Sequence, residues 1–188
     1  MAAINLTGSE HTVQFFETRP ALCGAVCRFA CDALSAGDDA LLIVVPEHRS
    51  QILDGLSARG LDVKEALSNG QLVLQDAQET LDGFMVRGVP DAERFIERVS
   101  GLLERRSGPG RGLKVYGEMV SVLWGTSQRH AALELESLWN ILATAHPISL
   151  LCGYLVDDMQ RFGATQEFLE ICDLHSHPLL THERQALA

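Results

Sequence analysis

The chain is poor in basic charge: 15 Lys and Arg stand against 25 Asp and Glu, a formal net charge of −10. Affinity for a phosphate backbone comes mainly from clustered cations, so this balance argues against direct nucleic-acid contact and points to proteins or small molecules as partners. Long apolar runs are missing as well. None approaches the roughly 18 to 20 residues that a membrane helix needs, and the opening MAAINLTGSE has neither the basic start nor the apolar middle of a signal peptide. A cytoplasmic protein with no membrane segment is the expectation. The cysteines (Cys23, Cys27, Cys31, Cys152, Cys172) are odd in number and lack the spacing of a disulfide framework, which fits free thiols in a reducing compartment. No GxSxG elbow, catalytic cysteine motif, internal repeat or low-complexity segment occurs.

What is present is an ordinary core: 188 residues, 46% hydrophobic and 21% charged, enough for one domain. Val13 and Phe15 alternate before Glu17 as in a short strand, and Arg19 and Pro20 open a helix running to about Ser35. Ala40 to Val45 is an unbroken apolar run, the mark of a strand buried on both faces. Pro46 starts a second helix, with Gly60 placed to cap its end. Asn69 and Gly70 mark a turn before a third strand, QLVLQDA. Helical patterns follow around Leu81 to Val86 and from Pro90 to about Arg106, then an SGPGRG loop at 107–112, a strand at 113–116, a strand at 148–155 and a terminal helix over 157–174. This alternation predicts a single α/β domain with a mostly parallel central sheet flanked by helices.

The stretch from Lys114 to Leu142 holds the most information. A short apolar run ends in a sharp turn at Gly117, with Glu118 behind it at a strand's carboxyl end, where open α/β sheets bind ligands. Glu118 there serves polar recognition or proton transfer, or else satisfies helix N-terminal amides. His48 and Arg49 belong to the same layer and either hold an anion or polar group or face solvent. Trp124 offers a flat apolar surface to a ligand, or packs in the core. Ala132, Leu135, Leu138, Trp139 and Leu142 form one apolar helix stripe, so Glu134, Glu136 and Asn140 are expected to look outward or toward a partner. Cys23, Cys27 and Cys31 share a helix face as a thiol cluster or, with Ala30 and Ala33 nearby, as small side chains packed on the sheet. His175, His177 and His182 with Glu183 either bind zinc or nickel or are solvated.

Several pieces, in order, resemble the MEDS domain, the sensory domain named from methanogens, methylotrophs and the dichloromethane regulator DcmR. They are His11 with Phe15, Phe16 and Glu17; VVPEHR at 44–49; Gly60 to Asp62; Gly70 with Leu72 and Asp76; YGEMV at 116–120; Trp124; LESLWN at 135–140; and LLCGY at 150–154. The resemblance implies a sensory domain over 1–174 followed by a C-terminal tail at 175–188, and distant kinship to the KaiC and RecA ATPase core with the 41–45 and 113–116 strands central. Where that core carries its phosphate loop the chain reads FFETRPALCGAV, without GxxxxGK[ST], so ATP hydrolysis is not expected. Phe16 and Glu17 fall at that place, and a carboxylate there favours a neutral or cationic ligand or a structural role.

The function implied is a non-catalytic module that senses a small-molecule ligand, with no cofactor indicated. A degenerate nucleotide binder and a thiol- or metal-responsive interaction module are the alternatives. Ligand contacts are expected from Phe16, Glu17, His48, Arg49, Glu118 and Trp124. The short tail holds no kinase or helix-turn-helix domain, so the expected partner is a signalling protein such as a histidine kinase or regulator, with self-association expected by analogy to RecA-type relatives.

Overall fold

Strand β1 (Glu10–Phe16) sends Val13 and Phe15 to one side and Phe16 to the other, then hands over to helix α1 (Arg19–Ser35) through Thr18. The Thr18 hydroxyl accepts from the Ala21 amide at 3.3 Å, and Pro20 occupies the first turn, where its missing N–H leaves nothing unpaired. The computed structural model describes residues 10–103, 110–156 and 165–181. The remaining elements, in order, are β2 (Asp39–Val44), α2 (Pro46–Ser57), α3 (Val63–Ser68), β3 (Leu72–Asp76), α4 (Ala77–Asp82), β4 (Met85–Val86), β5 (Val89–Pro90), α5 (Ala92–Leu103), β6 (Leu113–Gly117), α6 (Met119–Gly125), α7 (Arg129–Ala145), β7 (Ile148–Leu155), α8 (Thr165–Asp173) and β8 (His177–Thr181).

Six strands form one sheet in the order β3-β2-β6-β7-β1-β8, and every neighbouring pair is parallel. Alternating side chains feed two apolar layers. Leu42, Val44, Tyr116 and Leu151 pack under α1, α2 and α3, whereas Leu41, Ile43, Val115, Leu150, Cys152 and Tyr154 pack under α4 to α8. The chain is thus a single α/β domain with a parallel sheet covered on both faces. No helix among the described residues is long and apolar enough to cross a membrane.

Four expectations need correction. The helix expected around Leu81 to Val86 is α4 ending at Asp82; Met85 and Val86 instead pair with Pro90 and Val89. The reason is the Arg87–Gly88 turn, with φ of 53° and 84°, which has the two positive values that a tight hairpin demands. Pro90 therefore lies in a strand, and Asp91 opens α5 by accepting from the Arg94 amide at 3.0 Å. Gly117 is the last residue of β6 and makes no positive-φ turn; the chain bends at Glu118. Residues 177–181 are not a tail: they run beside β1 as the sixth strand, in register from Thr12–His177 to Phe16–Thr181. The loop residues 107–109 and the helix residues 157–164 lie outside the described residues.

Candidate functional site

His11 of β1 and Cys152 of β7 lie on adjacent parallel strands and point to the same face, Cys152 standing opposite Val13 in the register. Helix α7 crosses that face and lowers Glu136 and, four residues on, Asn140 toward them. The joint between α8 and β8 adds His175. All four donor residues, His11, Glu136, Cys152 and His175, are buried, Glu136 completely at 0% exposure, and their ligand-type atoms lie within 4.8 Å of one another.

Hydrogen bonds at the rear of each imidazole fix what the front presents. His175 Nδ1 donates to the Ile171 carbonyl at 2.6 Å. His11 Nδ1 donates to Asn140 Oδ1 at 2.9 Å, and the Asn140 amide is oriented by its own donation to the Leu174 carbonyl at 2.8 Å. Oxygens of these kinds only accept, so both Nδ1 atoms carry hydrogen and both Nε2 atoms of the neutral rings present lone pairs. Those lone pairs converge on Glu136 Oε2, each at 3.3 Å, and His11 Nε2 is 3.2 Å from Cys152 Sγ. Despite that approach, Glu136 Oε2 and His175 Nε2 are buried with no aligned hydrogen bond.

Two neutral imidazole lone pairs facing a carboxylate oxygen repel, and either a proton on Nε2 or a metal cation among the donors removes that repulsion. Burial opposes the Glu136 charge, but His175 and then His11 hold its carboxyl well below the usual carboxylate range. The His175 imidazole is pushed up against its own burial, chiefly by Glu136. Burial, followed by Glu136, pushes the Cys152 thiol far up. Around tetrahedral zinc, with Zn–N near 2.0 Å and Zn–S near 2.3 Å, neighbouring ligand atoms are about 3.3–3.6 Å apart. That is close to the 3.2–3.3 Å of the His11–Glu136, His175–Glu136 and His11–Cys152 pairs, while the whole set fits within 4.8 Å. The rear partners also match what metal-bound imidazoles have, a carbonyl on the far nitrogen. On the carboxylate's other side, Tyr154 donates to Glu136 Oε1 at 2.7 Å. Two imidazoles, a thiol and a carboxylate form a donor set suited to zinc or a similar borderline divalent ion.

A second polar cluster occupies the carboxyl ends of the strands. Glu118 Oε1 accepts from Tyr116 Oη at 3.0 Å and pairs with His48 Nδ1 at 2.8 Å, while Oε2 accepts from the Val45 amide at 2.7 Å. Glu118 caps no amide of α6, so the helix-terminus role does not hold; its carboxylate ties the β2–α2 turn to β6. Of the six residues expected to line a ligand site, only Glu118 and His48 meet, and both are buried. Phe16 is a core residue, and Glu17 and Arg49 are exposed. Trp124 is a correction: it is buried on the opposite face, edge-on to Tyr154 at 6.0 Å, with the Arg129 guanidinium 5.7 Å over its ring.

The outward face expected of α7 is also corrected, because Glu136 and Asn140 point inward at the donor cluster; α7 is covered by α8 as well as by the sheet. Cys23 and Cys27 pack in the layer under α1 and α2, and Cys27 Sγ donates to the Ile52 carbonyl at 3.3 Å. Burial, then Glu118, pushes the Cys23 thiol up to about 11, the reverse of what a reactive thiol needs. His175 is buried rather than solvated, whereas His182 and Glu183 lie outside the described residues. In the sequence His11, Glu136 and Cys152 share no common motif or spacing. The available signal was a polar residue within each of three apolar elements, since LESLWN supplies Glu136 and Asn140 and LLCGY supplies Cys152 and Tyr154.

A family model described as MEDS, "MEthanogen/methylotroph, DcmR Sensory domain", matches residues 10–176. The comparison with curated proteins yields no match. Among solved structures, the chain is similar to an uncharacterized protein from Pyrococcus horikoshii crystallised in complex with an unknown peptide. The TM-score is 0.67 at 14% identity, over 94% of this chain and 79% of that one.

Proposed function

This chain belongs to the MEDS family, and from that premise we propose that it is a non-catalytic sensory module whose effector is a divalent metal ion held by His11, Glu136, Cys152 and His175. The observation that carries the reading is the convergence of two imidazole nitrogens, a thiol sulfur and a carboxylate oxygen, all buried and all within 4.8 Å of one another, with Glu136 Oε2 and His175 Nε2 lacking an aligned hydrogen bond. A cation at that point satisfies every donor at once, and buried polar atoms otherwise left unpaired are costly. Four protein donors close a tetrahedral shell and leave no position for a substrate or an activated water, which is why the module is read as a sensor and not as a metallohydrolase. The segment after β1 enters α1 directly at Thr18, without a phosphate-binding loop, and this supports a core that does not hydrolyse ATP.

The distant kinship to RecA-type ATPases belongs to the same proposal, supported by β2 and β6 lying side by side inside the sheet. A thiolate ligand stays reduced in the cytoplasm, where such a sensor would work. Its state would reach a histidine kinase, a transcription regulator or a second copy of the chain by contact. The Glu118 cluster fits a positioning role better than a ligand site, because both carboxylate oxygens already have partners.

Chelator-stripped protein titrated with Zn²⁺ and Co²⁺ tests this. The expected result is one ion per chain, with the visible bands of tetrahedral Co²⁺ and a near-ultraviolet thiolate-to-cobalt transition that Cys152→Ser removes. Absence of stoichiometric uptake, or a cobalt spectrum unchanged by Cys152→Ser, would overturn the assignment.

A further inference from the structure

The four donors differ in how their elements are anchored. His11, Glu136 and Cys152 sit on β1, α7 and β7, elements joined by strand pairing and by the core beneath α7. His175 sits on the link between α8 and β8, at the C-terminal end of the described chain. Accepting the metal centre proposed above, we propose that the ion is a latch: its occupancy decides whether the unit formed by α8 and β8 is docked on the domain, and that change of state is the signal the module transmits.

The observations that carry this concern how the unit is attached. Strand β8 lies at the sheet's edge and pairs with β1 alone. Helix α8 packs inward through Ile171, with Phe168 and Cys172 partly buried and the Phe168 ring 4.8 Å from that of Phe15. On its outer side, Leu169 is 52% exposed, and a groove of about 420 Å³ separates α8 from α7, lined by Leu133, Ser137, Glu170 and Leu174 among others. The seam is therefore closed on one side only. Apart from the β1–β8 strand pairing, polar ties of the joint among the described residues lead to the donor cluster. Asn140 Nδ2 donates to the Leu174 carbonyl at 2.8 Å, the Ser176 amide donates to the His11 carbonyl at 2.9 Å, and the His175 ring lies 4.1 Å from that of His11.

Without the ion, His175 Nε2 and Glu136 Oε2 stand 3.3 Å apart with no aligned hydrogen bond between them. With the ion in place the same two atoms become co-ligands, and the metal cross-links the joint to α7. A ligand shifts an equilibrium only by its preference for one state. Here that preference is built in, because the docked form offers four donors and the undocked form three. If the undocked form bound no metal, saturation to 100 times Kd would favour docking by about 100-fold. Three residual donors reduce that figure, so a shift of at least about 10-fold is expected.

Hydrogen exchange followed by mass spectrometry on the full chain tests the latch, comparing chelator-stripped protein with the same protein carrying one equivalent of Zn²⁺, and metal content measured on both samples. Zinc is expected to slow exchange across 165–181 by at least about 10-fold, while 39–44 and 72–76, on the far side of the sheet, change little. In His175→Gln, zinc is still taken up more weakly through the remaining donors, and 165–181 no longer responds to it. Zinc bound at one per chain with 165–181 unchanged, or slowed no more than 39–44 and 72–76, overturns the latch and leaves the metal centre standing. Failure of the wild-type chain to take up zinc overturns both. The wild-type pair decides the matter whether or not His175→Gln folds.

Discussion

Glu136 stands with no solvent between two imidazoles and a thiol, and Tyr154 decides which of its oxygens faces them. The phenol donates to Oε1 at 2.7 Å and leaves Oε2 directed at His11 and His175. Burial, then Glu136, pushes the Tyr154 hydroxyl far up, so it remains a donor throughout the working pH range. Removing that proton donor while keeping the ring isolates the orienting effect. Tyr154→Phe is expected to fold, to lose about 1–3 kcal/mol of stability through the unpaired buried carboxylate oxygen, and to bind zinc about 10- to 100-fold more weakly, the usual effect of losing a ligand's outer partner. Competition against a chromogenic chelator reads the affinity, and an unchanged Kd would remove Tyr154 from the centre.

At the scale of the element, β7 shows how one strand serves both faces of the sheet. Cys152 and Tyr154 point into the layer containing the donor cluster, while Leu151 faces α1. Gly153 points the same way as Leu151, and there the Tyr116 ring of β6 lies across it: a Cβ on Gly153 would come within 2.5 Å of the Tyr116 hydroxyl. The glycine is needed for this close approach, because Tyr116 must lie flat there to reach Glu118 at 3.0 Å. Gly153→Ala is therefore expected to displace the ring, break that hydrogen bond and cost about 1–3 kcal/mol by overpacking. Chemical denaturation measures the loss, and wild-type stability in the variant would show that Tyr116 has room to move. Helix α2 meets α1 under the same constraint, since a Cβ on Gly55 would lie 2.5 Å from Cys27 Sγ.

For the whole molecule, a metal bound only by the folded state shifts the folding equilibrium by mass action. Zinc at 100 times its Kd adds about 2.7 kcal/mol, which for a chain of this length corresponds to a rise in melting temperature of roughly 5–10 °C. Thermal unfolding with zinc and with excess chelator reads the difference, and superimposable curves would contradict a folded-state metal site. Trp124 and Trp139 are the two tryptophans of the chain, and both are buried in the layer that holds the donors, so intrinsic fluorescence reports on the relevant half of the domain.

The sequence alone determined the alternation of strand and helix. Leu41 to Val44 read as a strand buried twice over, Pro20 and Pro46 as helix openings and Gly60 as a helix end, because these signals depend on neighbours a few residues away. It also carried the family resemblance through short local pieces. Only the tertiary structure decided the site. His11 and Asn140 are 129 positions apart in sequence, and His11 and Cys152 are 141 apart, so no local period connects them. Placing β7 beside β1 is what brings His11 and Cys152 together. The same limit explains Trp124, Glu136 and His175. An amphipathic stripe shows which side of a helix is apolar, but a polar residue beside that stripe reads as solvent-facing until a second layer is found to cover it. Here α8 covers α7, and β8 continues the sheet past β1. Those long-range contacts turned an outward carboxylate and a tail histidine into buried neighbours.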